Sequence, residues 1–406
     1  MKIKPGFMSF LLIISICMSL MGHEYPQQVW KGTIEYKDGI KIIKNPNTPI
    51  YGEIDLKLEQ DLKIGDENDK NSAFYRRIEI AVDSQGNIFV LDTGNHRIQK
   101  FNREGKHLLT VGRKGQGPGE FSFPSALFIA KDGTIYVKDS NFLHIFDQNG
   151  LFMKSLSFQN AVGSFGLLED FKFLMEVTSF TSKGRAHEIA ILNQKGEKEK
   201  AIESYTEEIY GVKKSGKVSG GVIGGVIGGV FHGYTHNLML VPLKIGGGIF
   251  GHSKEYTLTI IDPSGEIDMV INKIESPKMI PQKEKNRLIE SNYQSLKKRG
   301  FSKSDVEKML NLPDYEPFFS DFIRDDEGIL YVIKKDLPSK NEKSIPIDIF
   351  DREGRYIYKT IFPFNPKVIQ NGFAYTTKLD PETHYIRILR YKITNWDKLR
   401  GLNPPS

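Results

Sequence analysis

A chain of 406 residues is long enough for two or three ordinary domains, although closed all-β architectures of this length commonly form one unit. With 39% hydrophobic and 26% charged residues it has the apolar content for a sizeable core, so the composition excludes a disordered or fibrous chain. The formal charge of +6 is concentrated: Lys2 and Lys4 carry two of it and residues 278–312 carry an excess of five, which leaves the rest near neutral and excludes a polyanion-binding surface there.

Lys2 and Lys4 precede an apolar run from Phe7 to Met21 that is short for a bilayer span, the pattern of an export signal over residues 1–22 with Gly22 or Ser19 near the cleavage point. Cys17 is the only cysteine, and Ile16 before it departs from the small residue that a lipid-attachment site carries. Simple export is therefore expected ahead of lipid or membrane anchoring, and cleavage near Gly22 leaves a mature chain that can form no disulfide. Residues 23–50, with Pro26, Pro46 and Pro49, read as an extended lead-in holding one strand pair across Asp38-Gly39. Residues 54–65 then resemble an outer strand that precedes any complete sheet.

The strongest pattern begins at Ile78. An alternating apolar run at Ile78–Val82 and further runs at Ile88–Leu91, Ile98–Phe101 and Leu108–Val111 are separated by polar turns, which makes one four-stranded antiparallel meander. The layout returns over residues 125–158, and Gly86 to Gly133 is 47 residues, a propeller period. Weaker copies follow over residues 165–202, 237–271, 322–361 and 368–393. The last lacks an outer strand before Pro404-Pro405, and the surplus strand at 54–65 matches that deficit, so the two ends are expected to meet.

Two insertions break the period. Residues 211–236 contain GGVIGGVIGGV, read as an interblade loop whose apolar content also suits a membrane or partner contact. Residues 277–312 read as a helical hairpin, with Leu288, Ile289, Tyr293 and Leu296 on one face, Gly300 as a C-terminal cap and a capping box at Ser304–Glu307. Its basic residues read as a solvated face or a docking site for an acidic partner.

The run Asp92-Thr93-Gly94-Asn95-His96-Arg97-Ile98-Gln99-Lys100-Phe101 and the loop Gly112–Pro124 resemble the NHL-repeat family of β-propellers. The resemblance is specific over residues 78–150, loose over 321–355, and elsewhere rests on the period. It implies an all-β, six-bladed β-propeller of four-stranded blades over residues 51–406, with the loops 92–97 and 112–124 on one face. Asp92, Asn95 and Arg97 suit pinning of the blade, with Gly94 relaxing the turn. His96, Arg97, Arg113 and Lys114 are the candidate ligand-binding residues.

Catalytic patterns are weak. There is no Gly-x-Ser-x-Gly elbow and no phosphate-cradling loop, and the mature chain offers no cysteine nucleophile. His232, His236 and His252 are the candidate metal ligands; the first two would sit about 13 Å apart on an extended strand, too far to share an ion. Asp83, Asp132 and Asp326 fall in turns. The expectation is an exported, monomeric, non-catalytic binding or scaffold propeller without a cofactor. Its ligand would be a protein, peptide or glycan, with no nucleic acid and with membrane association only through the N-terminal segment. The alternative is a metal-dependent lyase or hydrolase with its site in the channel, as in some NHL relatives.

Overall fold

The computed structural model describes residues 29–181, 184–207, 234–334 and 344–400. The expected export segment and residues 211–233 of the glycine-rich insertion lie outside these.

Six sheets follow one another along the chain, each built on a four-stranded antiparallel blade. Blade 1 is Ile78–Val82, Ile88–Asp92, Arg97–Phe101 and His107–Val111. Blade 2 is Pro124–Ile129, Ile135–Asp139, Phe142–Phe146 and Phe152–Ser157. Blade 3 is Ala161–Leu167, Phe173–Thr181, Gly184–Leu192 and Lys198–Glu207. Blade 4 is Leu238–Pro242, Gly248–His252, Thr257–Ile261 and Ile267–Lys273. Blade 5 is Asp321–Arg324, Leu330–Ile333, Ile345–Phe350 and Tyr356–Phe362. Blade 6 supplies three strands of its own, Val368–Gln370, Phe373–Leu379 and Tyr385–Ile393. The first strand of each blade lies beside the first strand of the next, and the sixth returns to the first, so the array is a six-bladed β-propeller.

Local chemistry makes these hairpins. Asp83 accepts the amides of Gln85 and Asn87 at 2.9 and 2.8 Å, and Asp147 accepts those of Asn149 and Leu151 at 2.9 and 2.8 Å, so each carboxylate closes its own turn. Burial then selects the register, because one-residue slips would turn apolar side chains to the wrong face. Six apolar clusters result, one at each blade interface. Between blades 1 and 2, Phe89, Leu91 and Ile98 meet Ile129, Val137 and Phe146. Between blades 6 and 1, Tyr375, Ile386 and Ile388 meet Ile78, Val82 and Phe101. An open row of six blades would have five such interfaces; the sixth is the physical statement of closure.

Closure involves the whole N-terminal segment. The expected hairpin at Asp38-Gly39 joins Thr33–Lys37 to Ile40–Asn45, and Ile40–Asn45 runs parallel to Ile267–Lys273 as an added strand on blade 4. Ile50, Tyr51 and Ile54 donate amides to the outer strand of blade 5, and Leu58–Ile64 pairs antiparallel with Tyr385–Ile393 to complete blade 6. The boundary expected at residue 51 is therefore corrected: residues 33–45 are part of the propeller. Only Leu58–Ile64 of the expected strand 54–65 belongs to blade 6. The reason is that an exposed sheet edge offers unpaired amides and carbonyls to any extended neighbour. Buried Asn45 fastens the strap, donating to the Gly354 carbonyl at 2.9 Å and accepting the Tyr356 amide at 2.8 Å.

The helical hairpin is Gln282–Leu296 and Lys303–Leu310, packed through Ile289, Val306 and Leu310. Gly300 takes φ 79° between the helices, as a cap requires. The capping box is corrected to Ser302–Asp305: Ser302 is the extended residue, its hydroxyl accepts the Asp305 amide, and the Asp305 carboxylate accepts the Ser302 amide.

Candidate functional site

The six first strands enclose a channel with a cavity of about 660 Å³. Because these strands run in one direction, its two mouths differ. At the mouth near the interblade loops stand Glu79, Glu176, Asp321 and Lys367. Burial pushes the Asp321 carboxyl above its ordinary range, opposed by the Phe322 amide and Lys367 and reinforced by Glu79. Glu176 is held by His187, whose Nδ1 lies 2.6 Å from Oε1.

At the opposite mouth the channel is bridged. Lys244 follows the first strand of blade 4, and its Nζ donates to the Val82 carbonyl of blade 1 at 2.5 Å and to Gln370 Oε1 of blade 6. Blades 4 and 1 face each other in a ring of six, so this side chain crosses the axis. Gln370 in turn donates to the Asp83 carbonyl at 2.9 Å, and Asp326 accepts the Asn371 amide at 2.8 Å. Desolvation by the surrounding blades lowers the Lys244 pKa to about 8, although Asp326 and Asp83 favour its charge. Lys244 as a whole residue is nonetheless exposed. Between pH 8 and 10.5 the unfolded chain binds more protons here than the folded one, so stability should rise with pH in that window. Lys138, whose pKa burial also lowers to about 8, adds a like slope to both proteins, so denaturation from pH 7.5 to 10.5 should show a steeper rise in the wild type than in Lys244→Met.

Asp325, beside it, is 8% exposed. Its carboxylate accepts the Glu327 and Ile329 amides at 2.9 Å each and the Tyr331 hydroxyl at 3.1 Å, yet burial outweighs these bonds and raises its pKa to about 7. The expected turn residue Asp326 thus yields the turn to Asp325 and ties blade 5 to blade 6 instead. A raised carboxyl favours folding below its unfolded value and loses that benefit as pH rises from 3.8 to about 7. Asp325→Asn should remove on the order of 2–4 kcal/mol of stability change across that window, read as the difference between pH-dependent urea midpoints of variant and wild type.

The residues singled out from the sequence fall mainly on the interblade-loop face. His96 and Lys114 line one depression of about 510 Å³ with Arg76, Thr93 and Phe123, which brings the loops 92–97 and 112–124 together. Arg97 donates to Asp92 at 3.1 Å and to the Lys70 carbonyl at 2.7 Å, and lines a neighbouring depression with Tyr75 and Tyr385. Arg113 donates to Glu120 at 2.8 Å. Asp92 is fully buried and accepts from Asn95 at 2.8 Å, as blade pinning requires. Gly94 serves closeness more than turn freedom, since a Cβ there would stand 2.3 Å from the Tyr75 carbonyl oxygen.

His232 lies outside the described residues. The rings of His236 and His252 are 6.4 Å apart, and His236 Nε2 lies 3.2 Å from the Tyr315 carbonyl. Among the described residues, no group of three or more His, Cys, Asp or Glu has metal-binding geometry. Sequence reasoning missed Lys244, Gln370, Asp321 and Lys367. Their one signal is position, at the two ends of first strands, and it emerges only when the weak copies in blades 4 to 6 are correctly registered.

Residues 71–216 match the model of a family described as "6-bladed beta-propeller". Over 102 residues the chain is 29% identical to Protein brain tumor of Drosophila melanogaster, covering 24% of this chain and 10% of that protein. The chain thus matches about a tenth of the length of that relative. A Bacteroides fragilis protein named as a candidate exported protein superposes on 87% of this chain and 99% of its own, at 14% identity and TM-score 0.50. This likeness shows the fold alone. Virginiamycin B lyase of Staphylococcus aureus aligns over 84% of this chain and 89% of its own at 12% identity, but its TM-score of 0.37 carries no argument about chemistry.

Proposed function

We propose that this protein is an exported, non-catalytic binding module that receives part of a peptide, protein or glycan ligand in its channel from the interblade-loop face. The observation that carries the reading is the Lys244 bridge: with one mouth crossed by a side chain bonded to two other blades, the cavity is entered from the other. Concave cavities of this size with a few polar groups are the usual form of ligand sites. Export is supported by Lys2 and Lys4 ahead of the apolar run Phe7–Met21, and the NHL-like assignment by residues 92–101 and 112–124. No helix among the described residues is long and apolar enough to cross a membrane.

The test is a thermal-shift screen of peptide and oligosaccharide libraries against wild type and Ser164→Trp, which fills the cavity beside Gly163. Compounds that raise the melting temperature of wild type should fail to do so in the variant. Equal shifts in both would remove the channel from the reading.

A second reading, a channel enzyme, is favoured by one observation: Asp325 and Lys244 lie at the same mouth with pKa values of about 7 and 8, as acid–base groups in active sites do. Turnover of a small substrate, metal-dependent or not, that is lost in both Asp325→Asn and Lys244→Met would replace the binding reading with this one.

A further inference from the structure

We infer that the depression between the loops 92–97 and 112–124 is a second site, separate from the channel, that docks an acidic peptide segment carrying an aromatic or aliphatic side chain. Its lining is Arg76, Thr93, Gly94, His96, Lys114 and residues 122–125, with no acidic side chain. Neither Arg76 nor Lys114 forms an ion pair among the described residues, whereas the nearby Arg97 and Arg113 are already bonded to Asp92 and Glu120. The acid beneath the floor is also committed: Asp139 is 3% exposed and accepts the Ser122 and Phe123 amides at 2.6 and 2.5 Å. Cationic groups here consequently face solvent without a counter-charge.

Two further observations point to an occupant. His96 Nδ1 is buried and has no hydrogen-bond partner among the described residues, and the turn that aims the ring, at φ 54°, has its match in blade 2, where Ser140 takes φ 50°. A buried polar atom left unpaired calls for a partner, which a bound group would supply. Phe123 beside it is 75% exposed, and Tyr75 next door carries the Arg76 guanidinium over its ring at 5.6 Å. A rim of unpaired cations around an exposed aromatic complements a carboxylate-rich segment with one apolar anchor.

A peptide fits better than a nucleic acid. Polynucleotides need cations spaced along an extended path, while here two cations, Arg76 and Lys114, gather in one depression of about 510 Å³. The largest local charge excess, over residues 278–312, belongs to a different part of the chain.

The experiment is fluorescence anisotropy with a labelled decapeptide of alternating Glu and Phe, its Lys-for-Glu counterpart and a polyuridylate decamer. Binding of the acidic peptide should weaken at least tenfold in both Arg76→Glu and Lys114→Glu and about fivefold in Phe123→Ala. Lys298→Glu, on the helical insertion, should leave it unchanged, as should the cavity-filling Ser164→Trp. Circular dichroism and melting curves confirm that each surface variant is folded. The inference is overturned if the acidic peptide does not bind at millimolar concentration, if the Lys peptide binds equally, if the reversals leave affinity unchanged, or if polyuridylate displaces the peptide at lower concentration. Loss of binding in Ser164→Trp alone would move the peptide to the channel and refute the separate site.

Discussion

A chain carrying Asp348→Ala should lose about 3–5 kcal/mol of stability, the cost of breaking a buried charge network in which Lys273 keeps Glu275 alone and two tyrosine hydroxyls lose their acceptor. Asp348 is 5% exposed on the third strand of blade 5. It accepts Lys273 Nζ at 2.7 Å and the hydroxyls of Tyr256 and Tyr356 at 2.5 and 2.6 Å. Lys273 belongs to blade 4, its ammonium lying 4.9 and 4.4 Å from the centres of the Tyr256 and Tyr356 rings, with Glu275 as its other acid partner at 2.8 Å. The network thus fastens two blades along the wall of a cavity of about 700 Å³ that Lys273, Glu275, Lys334 and Asp348 line.

Burial pushes the Asp348 carboxyl up, but Lys273 and Lys334 pull it below its ordinary range. Its contribution is accordingly present above pH 3.8 and is lost as pH falls through the lower folded value. Urea denaturation at pH 7 measures the loss. The paired change Asp348→Leu with Lys273→Met should cost markedly less than Asp348→Ala, because it removes both charges together. A single-variant cost under 1 kcal/mol would show that the two charges are solvated in solution.

Removal of residues 1–65 should abolish folding as a stable monomer. Blade 6 would lose its outer strand and expose the edge of Tyr385–Ile393, and blades 4 and 5 would lose the strap that covers theirs. Ile43, Ile54, Leu56 and Ile64, all at most 8% exposed, would leave three of the interface clusters. At roughly 2 kcal/mol for each such side chain the loss rivals the whole stability of an ordinary domain. Far-ultraviolet circular dichroism and size-exclusion chromatography of the truncated chain would check it; a soluble, cooperatively melting monomer would refute the role given to the strap. Adding residues 29–65 as a separate peptide should restore part of the signal, since the strap is held by backbone pairing along its length.

Blades 1 and 2 could be read almost strand by strand, because Asp83, Asn102, Asp132 and Asp147 each accept amides of their own turn and the strands between are five- or six-residue runs rich in apolar side chains. Those interactions span two to four residues, so the sequence carries them in full. The same locality accounts for the helical hairpin. The capping box slipped by two residues because Ser302 and Ser304 are chemically alike, and only their backbone conformations tell them apart.

By itself, then, the sequence determined the repeated four-stranded unit, the strand available to close the ring and the loops that share a face, while the count of six blades rests on the six sheets and six interface clusters of the folded chain. Tertiary structure alone decided that the strap also laces blades 4 and 5, that Lys244 reaches from blade 4 to blades 1 and 6, and that Lys273 and Asp348 meet 75 residues apart in sequence. The physical reason is range. Turn chemistry and side-chain alternation act between near neighbours in the chain, whereas edge pairing and buried charge compensation depend on which surfaces the closed ring brings into contact.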